Sequence, residues 1–197
     1  MADALRDAAR GGDLARLRAA LASGVDVDAL PPDASLTALH WTAINGQKAC
    51  LETLLVAGAS VHSVTRGGSI PLYYASRSGH VACVRVLISA GSDVNRAKVA
   101  GWTPFTSALD NGHRRVLRIL LRAGADVNSQ KGRRREENAS AWALVEEIRA
   151  AGGWQNYVTR RRAALIRAIS NAFRGKFPDV IYAEIAPYME APGGDDD

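Results

Sequence analysis

Cys50 and Cys83, together with His40, His80 and His113, are the side chains of this chain best equipped for chemistry. Two thiols can close a disulfide, or join two imidazoles around zinc; an imidazole beside a carboxylate can move protons. Their spacing argues against each of these uses. The cysteines stand thirty-three residues apart, and so do His80 and His113, each directly after a glycine. On stacked helical units, equivalent positions lie about 8–10 Å apart, which a disulfide cannot span. No histidine pair accompanies the cysteines at zinc-site spacing. The acidic residues are scattered, and there is no G-x-x-x-x-G-K-S/T phosphate loop, no G-x-S-x-G elbow and no H-E-x-x-H helix. Gly67-Gly68 and Gly152-Gly153 read as turn glycines. No catalytic group, cofactor site or metal site is therefore expected, and the chain is expected not to be an enzyme.

The interval that separates these residues organises the elements that carry them. Gly46, Gly79 and Gly112 keep it, as do Gly58, Gly91 and Gly124, and Thr37, Ile70 and Thr103. A fixed period of this size marks a repeat array. The copies are TALHWTAINGQKACLETLLVAGASV from Thr37, IPLYYASRSGHVACVRVLISAGSDV from Ile70 and TPFTSALDNGHRRVLRILLRAGADV from Thr103. They resemble the ankyrin repeat, whose pattern runs T-P-L-H-x-A, then G-H, then G-A-D-V-N; GADVN stands intact at Gly124–Asn128. A less regular copy, ALRDAARGGDLARLRAALASGVDVDA, precedes them, with Gly12 and Gly24 thirty-four residues ahead of Gly46 and Gly58.

The fold expected is an all-α solenoid of helix-turn-helix units with β-hairpin-like fingers. The array should span residues 1–153, with repeats near 3–34, 35–68, 69–101 and 102–130 and a degenerate fifth at 131–153. A helical cap is expected over 154–190, then a disordered acidic tail at 191–197. Thr37 and Thr103 suit helix N-caps, and Pro71 and Pro104 suit the first helical position. Ile70 replaces the capping threonine of its repeat, leaving Ser69 to cap one residue early. Gly46, Gly79 and Gly112 should end the first helices in the left-handed conformation. Cys50 and Cys83 fall on the second helices among apolar residues at helical spacing and read as core. In the family the histidine of the first motif ties repeats together. Only His40 retains it, because Tyr73 and Thr106 stand at the equivalent positions; the network is expected to lapse in the two later repeats. In the C-terminal part, Trp142, Val145 and Ile148 form one apolar stripe. A helix from about Trp154 to Arg174 should turn Tyr157, Leu165, Ile169 and Phe173 toward the array.

The resemblance implies partner binding by finger tips and by the exposed side of the first helices, which together line a concave face. Carried over position by position, it singles out Asp33, Leu36 and Asn45 in the second repeat. In the third it gives Arg66, Ser69, Arg77 and Ser78, and in the fourth Val99, Trp102, Asp110 and Asn111. Trp102 is the aromatic among them, the side-chain type that carries binding hot spots. The expected role is thus non-catalytic binding of another protein, by a monomer. An alternative is a substrate-recruiting adaptor of a cullin-type ubiquitin ligase, because FPDVIYAEIAPYM at 177–189 resembles an F-box-like segment. Phe177 and Val180 depart from that pattern. A SOCS-box reading fails, since Leu165 is followed four residues on by Ile169 rather than Cys or Ala.

Charge is unevenly spread. Residues 1–129 carry 14 basic and 10 acidic side chains, residues 130–176 carry 11 and 4, and residues 177–197 carry none and 6. KGRRR at 131–135 and RRR at 160–162 fit an acidic partner, a nuclear import signal or nucleic acid. Nucleic acid is the least favoured, because no aromatic residues are interleaved for base stacking. MADALRDAAR lacks the apolar stretch of a secretory signal, and no apolar run approaches a bilayer span. A cytoplasmic protein is expected, with nuclear entry open to it through the basic runs.

Overall fold

The computed structural model describes residues 2–30, 35–128 and 136–172. The chain divides into two compact units, Met1–Glu146 and Glu147–Asp197. Every regular element among the described residues is a helix. In the first unit these form pairs: α1 (Ala2–Gly11) with α2 (Leu14–Ala22), α3 (Ala38–Asn45) with α4 (Lys48–Val56), α5 (Pro71–Ser78) with α6 (Val81–Ser89), and α7 (Pro104–Asp110) with α8 (Arg114–Arg122). A single 3₁₀ turn, Glu136–Asn138, leads into α9 (Ala139–Ala150), which crosses the boundary between the units; α10 (Trp154–Ala172) belongs to the second.

First helices pack on first helices, and second on second, so each pair adds one rung to a two-layered array. Leu39, Leu72 and Phe105 fill the first layer; Leu51, Leu54, Val84, Leu87, Leu117 and Leu120 fill the second, all fully buried. Removing a buried leucine side chain of this kind costs about 2–5 kcal/mol. Cys50 and Cys83 lie in the second layer at 2% and 0% exposure. Burial pushes the Cys83 thiol up to about 11 and raises that of Cys50 as well. Both thiols therefore stay protonated and unreactive at neutral pH.

The helix starts are not equivalent. Thr37 caps α3 and accepts from the His40 backbone N–H, while Nδ1 of His40 accepts from the Thr37 N–H at 3.2 Å and lies 2.8 Å from its hydroxyl. Thr103 and Thr106 build the same reciprocal box at α7, the Thr103 N–H donating to the Thr106 hydroxyl at 2.9 Å. At α5 the N-cap is Ile70, with no side-chain cap. Ser69 does not cap in its place. Its N–H donates to the Thr65 hydroxyl and its carbonyl faces His40, so the residue serves the finger and the preceding repeat instead.

The motif-histidine network lapses in the two later repeats as expected, and a second ladder makes up for it. Nε2 of His40 donates to the Ser69 carbonyl at 3.1 Å, and that bond has no counterpart from Tyr73 or Thr106: the phenol lies beneath the Lys98 ammonium, and the threonine hydroxyl is spent on its own helix start. The histidines after the turn glycines take over. His80 donates from Nε2 to the Ile44 carbonyl at 2.9 Å, and His113 to the Arg77 carbonyl at 3.0 Å. At the array's start Gln47 donates to the Arg10 carbonyl (3.1 Å), and at its far side Asn138 donates to that of Asp110 (2.9 Å). The acceptors Ile44, Arg77 and Asp110 themselves keep the thirty-three-residue step.

Gly46 and Gly79 make this ladder possible. Both are left-handed, at φ 72° and 78°. A Cβ at Gly46 would lie 2.5 Å from Nδ1 of His80, and one at Gly79 2.7 Å from the His113 ring. The glycine thus ends one helix and leaves the space its successor's imidazole occupies. α7 ends one residue earlier, with Asn111 as its cap, and Gly112 follows it.

The fingers are closed by a few backbone bonds without forming strands. Thr65 N–H reaches the Ser69 carbonyl, Lys98 N–H reaches that of Trp102, and Val99 N–H bridges the two fingers through the Gly67 carbonyl at 3.0 Å. In α9, Ala141, Trp142, Leu144, Val145 and Ile148 are buried. In the second unit Tyr157 is buried against the Trp154 ring, with the Arg161 guanidinium over it. Leu165, expected to face inward, is exposed: three of its neighbours on the helix surface are arginines and alanines that are exposed too. Ile169 and Phe173 lie outside the residues whose side chains are described, as do Asp33, KGRRR at 131–135, and all of 177–197.

Candidate binding surface

The inner layer leaves one arc of each first helix uncovered. In α3, residues 38, 39, 40, 42 and 43 are buried, which leaves Trp41, Ile44 and Asn45 outward. One period later the outward residues are Tyr74, Arg77 and Ser78, and at the end of α7 they are Asp110 and the capping Asn111, Ser107 being buried. α1 contributes Asp7 and Arg10. These residues line up across the stack because the repeats superpose their helix phases.

The sequence-derived candidates divide on this surface. Arg66, Arg77 and Ser78 are exposed, and Val99 is 85% exposed at a finger tip. Leu36 and Trp102 are half-buried. Ser69 is buried at 4% exposure, behind the surface rather than on it. Asn45 and Asn111 are exposed but engaged, Asn45 donating to the Arg10 carbonyl at 3.0 Å and Asn111 to that of Ser107 at 2.8 Å. Asp110 offers its carbonyl to Asn138. These amides and carbonyls hold the array together, and a partner would have to reach past them.

Two aromatics went unrecognised in the sequence: Trp41 and Tyr74. They stand one period apart on the outward arc. The Arg10 guanidinium sits 5.1 Å over the Trp41 ring, and Tyr74 meets both His40 (5.8 Å) and Tyr73 (5.5 Å) edge-on. Both rings are half-buried. Their shared helix phase is the signal that the sequence holds for them.

A family model of ankyrin repeats (3 copies) matches residues 5–98 and again residues 54–131. The two matches together cover well over half of the chain. The chain belongs to the ankyrin-repeat family. Ankyrin repeats generally mediate protein–protein interaction, and the fold is typically a non-catalytic interaction module. No curated protein matches this chain at a significant level. Among the described residues of this ankyrin array, no group of three or more His, Cys, Asp or Glu is placed to hold a metal ion, and no helix is long and apolar enough to cross a membrane.

Proposed function

We propose that this chain is a non-catalytic binding module that grips a protein partner with the outward arc of its first helices and its finger tips. The observation that carries the proposal is the pair Trp41 and Tyr74, two pre-positioned aromatics in phase, with Arg10 and Arg77 beside them. Large, rigid aromatics flanked by arginine are the side chains that dominate interface energies. The scaffold beneath them is held by side-chain hydrogen bonds in every repeat junction, so little conformational freedom is lost on binding and more of the contact energy appears as affinity.

The test is affinity capture on the immobilised full chain, followed by titration of the captured partner. Trp41→Ala and Tyr74→Ala are each expected to weaken binding by about 1–3 kcal/mol, and Trp102→Ala by a comparable amount if the finger takes part. A partner bound equally well by all three variants would place the interface elsewhere. The ligase-adaptor reading rests on the sequence of 177–189 alone; deleting 177–197 would remove a co-purifying ligase while leaving the array folded if that reading holds.

A further inference from the structure

The geometry points to a second interaction surface, on α8, that fits an acidic polypeptide segment. The outward positions of the second helices recur with the period. In α2 they hold Leu14, Ala15, Arg18 and Ala22; in α4, Lys48, Ala49, Glu52 and Val56; in α6, Val81, Ala82, Arg85 and Ser89. In α8 all four are arginine: Arg114, Arg115, Arg118 and Arg122. At 3.6 residues per turn they occupy an arc of about 100°, opposite the buried Val116, Leu117, Leu120 and Leu121. Arg114, Arg115 and Arg122 are exposed and Arg118 is half-buried. The scaffold does not require arginine at 114, 115 and 122, where small or apolar residues stand in at least two of the other three repeats; at 118 the equivalents Arg18, Glu52 and Arg85 are charged as well.

No ion pair among the described residues engages this face. In α4 the one acidic residue, Glu52, is paired with Lys48 at 3.5 Å. α8 has no acidic residue, and none of its four arginines has an ion-pair partner among the described residues. Between 114 and 135 the sequence carries eight basic side chains against one acidic, Asp126. A concentration of one sign on a rigid element is an electrostatic target for the opposite sign.

The chemistry of the face narrows the partner. Arginine presents a planar fork that matches carboxylates in pairs of hydrogen bonds. Arg114, Arg118 and Arg122 step along the helix at about 6 Å intervals. An extended acidic segment presents same-side carboxylates every second residue, at about 6.6–6.8 Å, close to that step. A lipid surface would call for large apolar side chains beside the cations; the exposed ones among the described residues, such as Leu30, Val56, Val99 and Leu165, all lie off α8. Single-stranded nucleic acid would call for aromatics to stack bases, and α8 has none.

The experiment uses the full chain and a fluorescein-labelled peptide of about ten residues alternating glutamate and serine, so that acidic side chains fall on one face of the extended form. Anisotropy is read at about 50 mM and about 200 mM salt. Expected is binding that weakens with salt, and that falls about tenfold or more in R114Q/R115Q/R118Q/R122Q, which leaves 131–135 intact. The lysine counterpart R114K/R115K/R118K/R122K keeps the charge and loses the forks, with an expected loss of about threefold. Arg66→Gln with Arg77→Gln, on the other face, should change binding by less than about twofold. Far-UV circular dichroism checks each fold; should the glutamine variant unfold, the single reversals Arg115→Glu and Arg122→Glu replace it, each with an expected loss of about fivefold. The inference is overturned by absence of binding at the lower salt, by a folded glutamine variant that binds as the parent does, or by a Arg66/Arg77 control that loses as much. Tighter binding of a duplex DNA oligonucleotide or of phosphatidylserine vesicles than of the peptide overturns it as well.

Discussion

The starts of α3 and α5 occupy the same point of the repeat and are built by opposite means. At α3, Thr37 and His40 satisfy each other's backbone N–H groups, and His40 reaches on to Ser69 in the next repeat. At α5 the capping position is Ile70, which is 2% exposed and makes no side-chain cap, and Tyr73 replaces the histidine beneath the Lys98 ammonium. One start is held by buried polar groups that are fully paired, the other by apolar burial and a cation over a ring. The lesson is that the period conserves shape rather than interactions. Any local solution that keeps the helix in place is admissible, provided the His80 and His113 rungs carry the repeat-to-repeat bonding.

His40→Ala is the strongest way to break the polar start. It empties a fully buried site, leaves the Thr37 N–H without its partner and takes from the Ser69 carbonyl one of its two donors, the Thr65 N–H being the other. The cavity and the lost hydrogen bonds together are expected to cost about 4 kcal/mol, read as a lowered urea midpoint, whereas Tyr73→Phe at the other start should cost less than about 1 kcal/mol. Acid provides a milder test of the same site. Burial lowers the His40 pKa from 6.5 to about 4, against the opposing pull of the backbone hydrogen bonds at Ser69 and Ser63. Below about 6.5 the unfolded chain takes up a proton that the folded chain refuses until about 4. Stability is therefore lost as pH falls through that window, by up to about 3 kcal/mol, and the contribution is constant above it. Urea midpoints measured across the window should show this slope, and His40→Gln should remove it.

How much of this was readable beforehand follows from what a period encodes. It carried the helix pairs, the left-handed glycines at 46 and 79, and the core place of both cysteines, because those depend on position along the repeat. It did not carry the pairing of Ser69 with His40, since that bond joins residues twenty-nine apart and depends on how neighbouring repeats stack. The bonds of His80 and His113 are hidden from the period for the same reason: their acceptors lie in the preceding repeat. Trp41 and Tyr74 were missed because a motif directs attention to its own letters, whereas exposure follows from helix phase.

Gly79→Ala probes the feature the two starts have in common. The left-handed backbone would strain any Cβ, and that Cβ would meet the His113 ring at 2.7 Å and displace it from the Arg77 carbonyl. Strain and the lost bond add to about 2 kcal/mol. Gly24→Ala has the same positive φ with open space around it, so the difference between the two substitutions isolates the imidazole's share, about 1 kcal/mol.

The smallest effect decides whether the two starts are true alternatives. Ile70→Thr restores a capping hydroxyl worth about 1 kcal/mol while removing apolar surface from a buried position, a loss of about the same size. Alone it should shift stability by less than about 1 kcal/mol. Tyr73→His alone gives up the ring under Lys98 and gains little, because Ile70 offers its imidazole no hydroxyl. Together the two substitutions rebuild the box found at Thr37 and His40, so their effects should fail to add by about 1 kcal/mol in the stabilising direction. Urea unfolding of the parent, both single variants and the double variant measures that coupling. A coupling near zero would mean that the polar start depends on more of its repeat than the two residues that form it.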